Sequence, residues 1–196
     1  MNIQITGASG AGKSFLGSKL AEILNVNFVD TDEILWVWGE NIQPYTVPTT
    51  DEEACNLLKE ILDNNKSTIA SGLFYPWSES LINRFDLLIV LETDKEVRKR
   101  RIIQREYEMY GDRYKIGGDM YVQFNSFLNW AMDYDTSTDK LGSKRETDKW
   151  AQKFKCPVLF IDGSKSLKSK IDIILKEIEK INKEEKYDNS RKIKKR

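Results

Sequence analysis

Residues 7 to 14 read GASGAGKS, and this octet limits the possible folds of the chain more than any other part of it. It follows the strand-like run NIQIT (2–6) and leads into KSFLGSKLAEIL (13–24), where Phe15, Leu16, Leu20, Ile23 and Leu24 recur at near-helical spacing. The octet fits G-x-x-x-x-G-K-[ST] at every fixed position. Each requirement has a physical reason. Glycines reach backbone conformations other residues avoid and let main-chain amides approach phosphate oxygens. A helix starting near Lys13 points its unpaired N–H groups and positive dipole end at the same anion. Lys13 adds a mobile charge for the outer phosphates, and Ser14 offers a hydroxyl to Mg²⁺. At ordinary residue frequencies roughly one chain of this length in a hundred would carry such an octet by chance. The strand before it and the helix after it lower that figure further. Gly7, Ala8, Ser9, Gly10, Ala11, Gly12, Lys13 and Ser14 are therefore the candidate ATP-binding residues.

The rest of the chain alternates strand and helix. VNFVD (26–30) reads as a second strand, and Thr50 with Glu53 forms a capping box ahead of EACNLLKEIL. STIAS (67–71) and DLLIVLE (86–92) are near-continuous apolar strands, the pattern of a parallel sheet covered on both faces. DKEVRKRRIIQREYEM (94–109) is a charged helix, and DMYVQFNSFLNWAMDY (119–134) puts Met120, Phe124, Phe127, Leu128 and Ala131 on one helical face. PVLFIDG (157–163) is the last strand and SLKSKIDIILKEIEKI (166–181) a closing amphipathic helix. This order predicts an α/β fold, a three-layer doubly wound parallel sheet of five strands. One domain is expected over 1–181, with a helical lid or insertion at about 107–150 and a charged, disordered tail over 182–196.

Composition narrows the chemistry. A chain of 196 residues can bury a core, and 31 basic against 31 acidic residues leave no global charge to steer it toward nucleic acid or membrane. No run approaches the ~20 apolar residues of a membrane span, and a strand beginning directly after Met1 leaves no room for a signal peptide. Cys55 and Cys156 have neither metal nor redox spacing, as in a reduced cytoplasm. Histidine is absent, which removes Ser-His-Asp and Cys-His catalysis and leaves carboxylates, arginine, lysine and backbone.

Two further constellations stand beside the octet. In VDTDEILW (29–36), Asp30 and Asp32 fall at the end of the second strand, where a parallel sheet's C-terminal edge faces the phosphate loop. Two residues apart on a strand, both carboxylates can face the phosphates, one toward a magnesium-bound water and one toward an attacking hydroxyl. The plainer role for either is a cap on the next helix. In VRKRRIIQRE, Arg98, Arg101 and Arg105 are three and four apart and share a helical face. Planar guanidinium groups suit phosphates, although Glu96, Glu106 and Glu108 would also balance a solvated face.

Together GASGAGKS, FVDTDEI, Gly72 and the arginine helix after DLLIVLE resemble the P-loop kinases of the shikimate kinase and adenylate kinase type. The resemblance covers most of 1–109 and returns at PVLFIDGSKS. It implies that Asp30 assists Mg²⁺ with Ser14, that Asp32 contacts the acceptor, and that Arg101 and Arg105 act as adenine contact and phosphate clamp. SGLFYPW keeps Gly72 of the family's substrate loop but not its run of glycines. DEILWVWGENIQPYTVP offers aromatic residues where arginines would grip shikimate's carboxylate. A longer resemblance, in DTDEILW, PYTVP and GGDMY…FLNWAMDYD, is to bacterial P-loop proteins labelled adenylate kinase-like or DNA topology modulators.

The expected activity is a kinase moving ATP's γ-phosphoryl group to a nucleoside, nucleotide or other small hydroxyl acceptor, with ATP and Mg²⁺ as cofactors. Lys13, Asp32, Arg101 and Arg105 are its candidate catalytic residues, and Asp32, Trp36 and Gly72 its candidate acceptor contacts. Trp36, Trp38, Tyr45, Tyr75, Trp77, Trp130 and Tyr134 lie near the crevice elements; some would stack on a flat acceptor and most would seal the core. YKIGGDMY supplies a Gly-Gly pair able to hinge a lid. RKIKKR (191–196) could touch nucleic acid, although a solvated end is the simpler reading. The alternative activity is an ATP-responsive regulatory or nucleic-acid-binding module with slow hydrolysis.

Overall fold

The structure is a computed structural model. It describes residues 1–193 except 41, 43, 44, 139 and 140, with backbone alone at 185 and 188–193. Two compact units are present, Met1–Ser164 and Lys165–Arg196.

In the first unit the strands are β1 (Ile3–Gly7), β2 (Asn27–Asp30), β3 (Thr68–Ser71), β4 (Leu87–Glu92) and β5 (Val158–Asp162). All pair in parallel, in the order β2-β3-β1-β4-β5. The helices are α1 (Lys13–Leu24), α2 (Asp32–Leu35), α3 (Asp51–Asn64), α4 (Lys95–Tyr110), α5 (Tyr121–Met132) and α6 (Lys144–Gln152), with 3-10 turns at Glu79–Arg84 and Gly111–Tyr114. The expected five-stranded doubly wound sheet is present. After β3 the chain crosses β1 to reach β4, so a crevice opens beyond the C-terminal ends of the strands beside β1.

Burial explains the layers. Ile69, Ala70 and Leu87 to Leu91 are 2% exposed or less, as fits strands covered on both faces. One face carries a core of Ala54, Leu58 and Leu62 from α3, Leu81 and Ile82 from the first 3-10 turn, and Trp150 and Ala151 from α6. The opposite face receives α1, whose Gly17 lies so close to Phe28 that a Cβ there would meet the ring at 2.6 Å. Helix α3 starts where the sequence places it: Thr50 accepts from the Glu53 backbone N–H, and Glu53 reaches back to complete the capping box.

Gln4 departs from this apolar logic. It is fully buried in the middle of β1, and neither side-chain amide atom has a hydrogen-bond partner among the described residues. An unsatisfied buried amide costs about 1–3 kcal/mol, so Gln4→Met, of similar volume, is expected to stabilise the protein by about 1 kcal/mol or more. A urea denaturation midpoint above that of the parent checks it.

The segment between β4 and β5 contains α5 and α6, and it is tied to α4 by Arg98. This residue, grouped with Arg101 and Arg105 by spacing, points into the protein and is fully buried. Its Nε donates to the Thr93 carbonyl at 3.0 Å and its Nη1 to the Ala131 carbonyl at 3.1 Å. Its Nη2 pairs with Asp135, and the guanidinium lies over the Tyr134 ring at 5.2 Å. Ile102, Phe124 and Ala131 pack together beside it, with Phe127 and Leu128 partly buried against them, which accounts for the apolar face of 119–134.

The second unit is mostly α7 (Leu167–Ile193). The helix continues to Ile193, past the Ile181 boundary read from apolar periodicity. The apolar pattern fades after Ile181, but Lys, Glu and Arg are good helix formers and sustain the backbone without it. Residues 194–196 and the side chains of 191–193, the proposed basic contact, lie outside the described residues. Among the described residues no helix is long and apolar enough to cross a membrane.

Candidate active site

The site is built on the C-terminal edge of the sheet, from the end of β1. Gly7 has φ 140°, and a Cβ there would stand 2.4 Å from the Leu91 carbonyl oxygen, so only glycine lets the loop leave β1 alongside β4. The Ala11 N–H donates to the Ala8 carbonyl at 3.1 Å, closing the loop around its own backbone. Gly12, with φ 96°, is the N-cap of α1 and supplies no side-chain cap. The starts of α3, α4 and α6 are capped by Thr50, Asp94 and Ser143. Helix α1, like α5, has no side-chain cap, and at the phosphate loop its open first-turn amides suit an anion.

Lys13 Nζ donates to the Ala8 carbonyl at 3.0 Å, folding the side chain back over the loop. Burial pulls its pKa below the ordinary lysine value, opposed by Asp32 and then Asp30. The carboxylates at the end of β2 thus lie within electrostatic reach of the loop's one ammonium.

Asp30 and Asp32 do not both sit on a strand as their spacing suggested. Strand β2 ends at Asp30, and Asp32 is the first residue of α2. The change falls at Thr31, whose N–H makes a last sheet bond to the Ser71 carbonyl at 2.8 Å and whose carbonyl accepts from Ile34 and Leu35. Asp30 Oδ1 accepts from the Asp32 N–H at 3.1 Å, so it also takes the capping role held open for it. Burial raises the Asp32 pKa above the ordinary carboxylate value, Asp30 adds to the rise, and Lys13 and Arg105 oppose it. A carboxylate in that balance is a better proton acceptor than a solvated aspartate.

Gly72 follows β3 and contacts the same junction. Its φ is 139°, and a Cβ would fall 1.8 Å from Thr31 Oγ1, which accepts from the Leu73 N–H at 3.0 Å. Gly72 therefore brings the third strand's loop against the Asp30–Asp32 turn. Gly72→Ala is expected to cost about 1–3 kcal/mol from backbone strain, with displacement of Thr31 in addition. The check is a lower thermal midpoint.

Helix α4 borders the loop closely. A Cβ on Gly10 would meet the Arg98 carbonyl at 2.7 Å. Arg101 spans two loops, with Nη1 donating to the Ala11 carbonyl and Nη2 to the Gly163 carbonyl, both at 3.1 Å. It braces the phosphate loop against the turn after β5, where Asp162 Oδ1 accepts from the Ser164 N–H in an Asx turn at 2.8 Å. Arg105, one turn on, acts on Lys13 and Asp32 electrostatically. Its guanidinium lies 5.8 Å over the Phe127 ring and bonds to Glu106 at 2.8 Å. The Gly-Gly pair at 117–118 is tightly packed at its second member, where a Cβ would fall 2.0 Å from the Arg113 carbonyl.

The seven aromatic candidates divide by burial. Trp77 and Tyr134 are core residues at 8% and 9% exposure, and Tyr75 packs edge-on against Trp150. Trp130 stacks on Phe127. Trp36, Trp38 and Tyr45 stand in the α2–α3 loop, where Tyr45 is edge-on to Trp36 at 5.9 Å and to Trp38 at 5.1 Å. The Tyr45 hydroxyl pKa is raised to about 12 by burial and then by Asp32, which puts the phenol beside the carboxylates. Spacing did not single out Thr31, and it gave Phe127 only as part of an apolar helix face, since their roles here depend on contacts with Leu73 and Arg105, 42 and 22 positions away.

The donor set fits a magnesium ion shared with phosphates. Among the described residues no group of three or more Asp, Glu or Cys side chains forms a self-sufficient metal site. Mg²⁺ characteristically takes one or two protein ligands and completes its shell with substrate phosphates and water. Ser14, in the first turn of α1, and Asp30, at the end of β2, have the oxygen donors that such an ion would take.

Residues 3–120 match the AAA domain family model. Over 174 residues the chain is 33% identical to "Uncharacterized protein YqaC" of Bacillus subtilis (strain 168), covering 89% of this chain and 95% of that one. Among solved structures it is similar to a shikimate kinase from Bacteroides thetaiotaomicron, with TM-score 0.55 and 18% identity over 91% of this chain and 98% of that chain. It is also similar to an uncharacterized protein from Eubacterium ventriosum ATCC 27560, with TM-score 0.50 and 14% identity over 92% and 98%. At those identities the structural likeness speaks for the fold alone, a P-loop α/β fold.

Proposed function

Since the chain belongs to the AAA domain family, with its P-loop intact, we propose that it is an ATP-dependent kinase transferring the γ-phosphoryl group to a hydroxyl of a nucleoside, nucleotide or other small acceptor. The observation that carries this reading is the gathering of Lys13, Asp30, Asp32 and Arg105 around the uncapped start of α1. A hydrolytic module needs the phosphate loop and one carboxylate. The second carboxylate, with its raised pKa, is what an acceptor hydroxyl requires.

In this proposal the amides of 8–14 hold the β- and γ-phosphates, and Lys13 Nζ exchanges the Ala8 carbonyl for phosphate oxygens. Ser14 and Asp30 would hold Mg²⁺, which would supply neutralising charge to the phosphates. Asp32 accepts the proton of the acceptor hydroxyl as its oxygen attacks the γ-phosphorus. Arg101 keeps the phosphate loop and the β5 turn in register on the adenine side. Arg105 leaves Glu106 to meet charge on the transferring group. Trp36 and Gly72 border the acceptor. A cytoplasmic setting belongs to the same proposal, with Cys55 and Cys156 both free thiols.

The test is an acceptor screen with ATP and Mg²⁺, read as ADP release, over nucleosides, nucleotides and small hydroxy compounds. One acceptor class is expected to raise ADP release well above the acceptor-free rate. A uniform rate across the panel would contradict the proposal.

A further inference from the structure

Between Lys19 and Lys59 the sequence contains no lysine or arginine, and none occurs in 67–83. These two stretches form the acceptor side of the crevice: the Asp30–Asp32 turn, α2, the loop to α3, and the segment after β3. They hold seven carboxylates from Asp30 to Glu53, counting 30, 32, 33, 40, 51, 52 and 53. Lys153, which reaches the post-β3 segment, is taken up by Glu79 at 2.7 Å and lies over the Tyr75 ring. Lys13 and Arg105 face Asp32, and both are committed to phosphates in the proposed reaction. Within these two stretches an acceptor carrying its own carboxylate or phosphate would therefore meet carboxylates and no lysine or arginine, and like-charge repulsion opposes its binding.

The same loop offers aromatic surface on a fixed frame. The Val37 N–H donates to the Val47 carbonyl and the Thr49 N–H to the Leu35 carbonyl, both at 2.9 Å, pinning the loop at its base. Trp38 Nε1 donates to the Asp32 carbonyl at 3.3 Å, tying one ring to the catalytic turn. Tyr45 stands edge-on to both tryptophans with 40% of its surface exposed. Its φ is 61°, a left-handed conformation uncommon for a bulky residue. Asparagine or glycine would sit there without strain, so the ring itself is the reason for a tyrosine.

We infer that the acceptor is an uncharged compound with a flat ring and a hydroxyl, of the nucleoside class, lying against Tyr45 and Trp38 with its hydroxyl toward Asp32, and that nucleotides and hydroxy acids are excluded. This deepens the phosphotransfer reading and rests on it. The step balances simply: the acceptor oxygen forms a bond to the γ-phosphorus, the β–γ bridging bond breaks with its electrons going to ADP, and the hydroxyl proton passes to Asp32.

The experiment is calorimetric titration of the full chain, held with Mg²⁺ and a non-hydrolysable ATP analogue, with nucleosides, their 5′-monophosphates and shikimate. At least one nucleoside is expected to bind tenfold or more tighter than its monophosphate and than shikimate. Tyr45→Gly and Tyr45→Asn are expected to weaken that nucleoside at least tenfold while melting no lower than the parent. Equal or tighter binding of the monophosphate or of shikimate overturns the inference, as does no nucleoside binding at millimolar concentration or unchanged affinity in both variants. ADP release is measured alongside. If ADP release is acceptor-independent while a nucleoside binds as described, the phosphotransfer reading fails and the binding assignment stands.

Discussion

Lys13→Ala is expected to lower acceptor-dependent ADP release by about 10³-fold or more and to abolish the thermal shift produced by ATP·Mg²⁺. Removing a single neutral donor from a preorganised anion site costs about 10²–10³ in rate. Lys13 is a full charge on a partly buried stem, and its pKa is lowered by burial, so the site has already borne the cost of desolvating it. A phosphate returns that cost. Without a ligand Nζ is satisfied by the Ala8 carbonyl, so removing it leaves one backbone acceptor for water, and Asp32, deprived of that opposing charge, answers by a further rise in pKa rather than as a stranded charge. The variant should therefore fold with a melting temperature close to the parent's. ATP titration of the folded variant, showing no saturable shift, checks the expectation.

Asp32→Asn has the second largest effect and a different signature. Loss of a positioned general base typically costs 10²–10⁴-fold. The expected result is a loss of about 10³-fold in acceptor turnover with ATP affinity unchanged, because Asp32 does not belong to the phosphate loop. Asparagine keeps the size of the side chain and leaves the Asp30 bond to the backbone N–H at position 32 intact. A parallel loss of ATP binding would place Asp32 in nucleotide binding and count against its assigned role. The pair of variants separates binding from transfer: one removes both, the other transfer alone.

The phosphate loop could be read residue by residue, since each requirement is local: a positive φ at Gly12, close approach at Gly7, a lysine at the helix start. The α3 capping box was legible for the same reason, Thr50 and Glu53 being three residues apart in sequence and bonded in space. The buried strands announced themselves through continuous apolar runs, and the parallel sheet followed from their alternation with helices. Long-range placement was not legible. Arg98 looks like its neighbours Arg101 and Arg105 by spacing, yet its partner Asp135 is 37 residues away and turns it into an internal tie. Trp77 and Trp38 are the same residue type near the same crevice, and only packing by α3 and α6 makes the first a core residue. The Asp30–Asp32 pair was found by its spacing, but the Thr31 bond to Ser71 that ends the strand between them depends on strand pairing. Tyr45 was legible as one of several aromatic residues near the crevice, but its left-handed backbone appears only once the loop is closed.

The central claim is that the γ-phosphoryl group goes to an organic hydroxyl rather than to water. The most direct measurement follows the label from γ-³²P-ATP in the presence of Mg²⁺ and the acceptor class selected by the ADP screen. The account predicts label in an organic phosphate, in amounts matching ADP, and neither product above background with Lys13→Ala. Label recovered only as inorganic phosphate, at the same rate with and without acceptor, would contradict it and leave a nucleotide-hydrolysing module in its place.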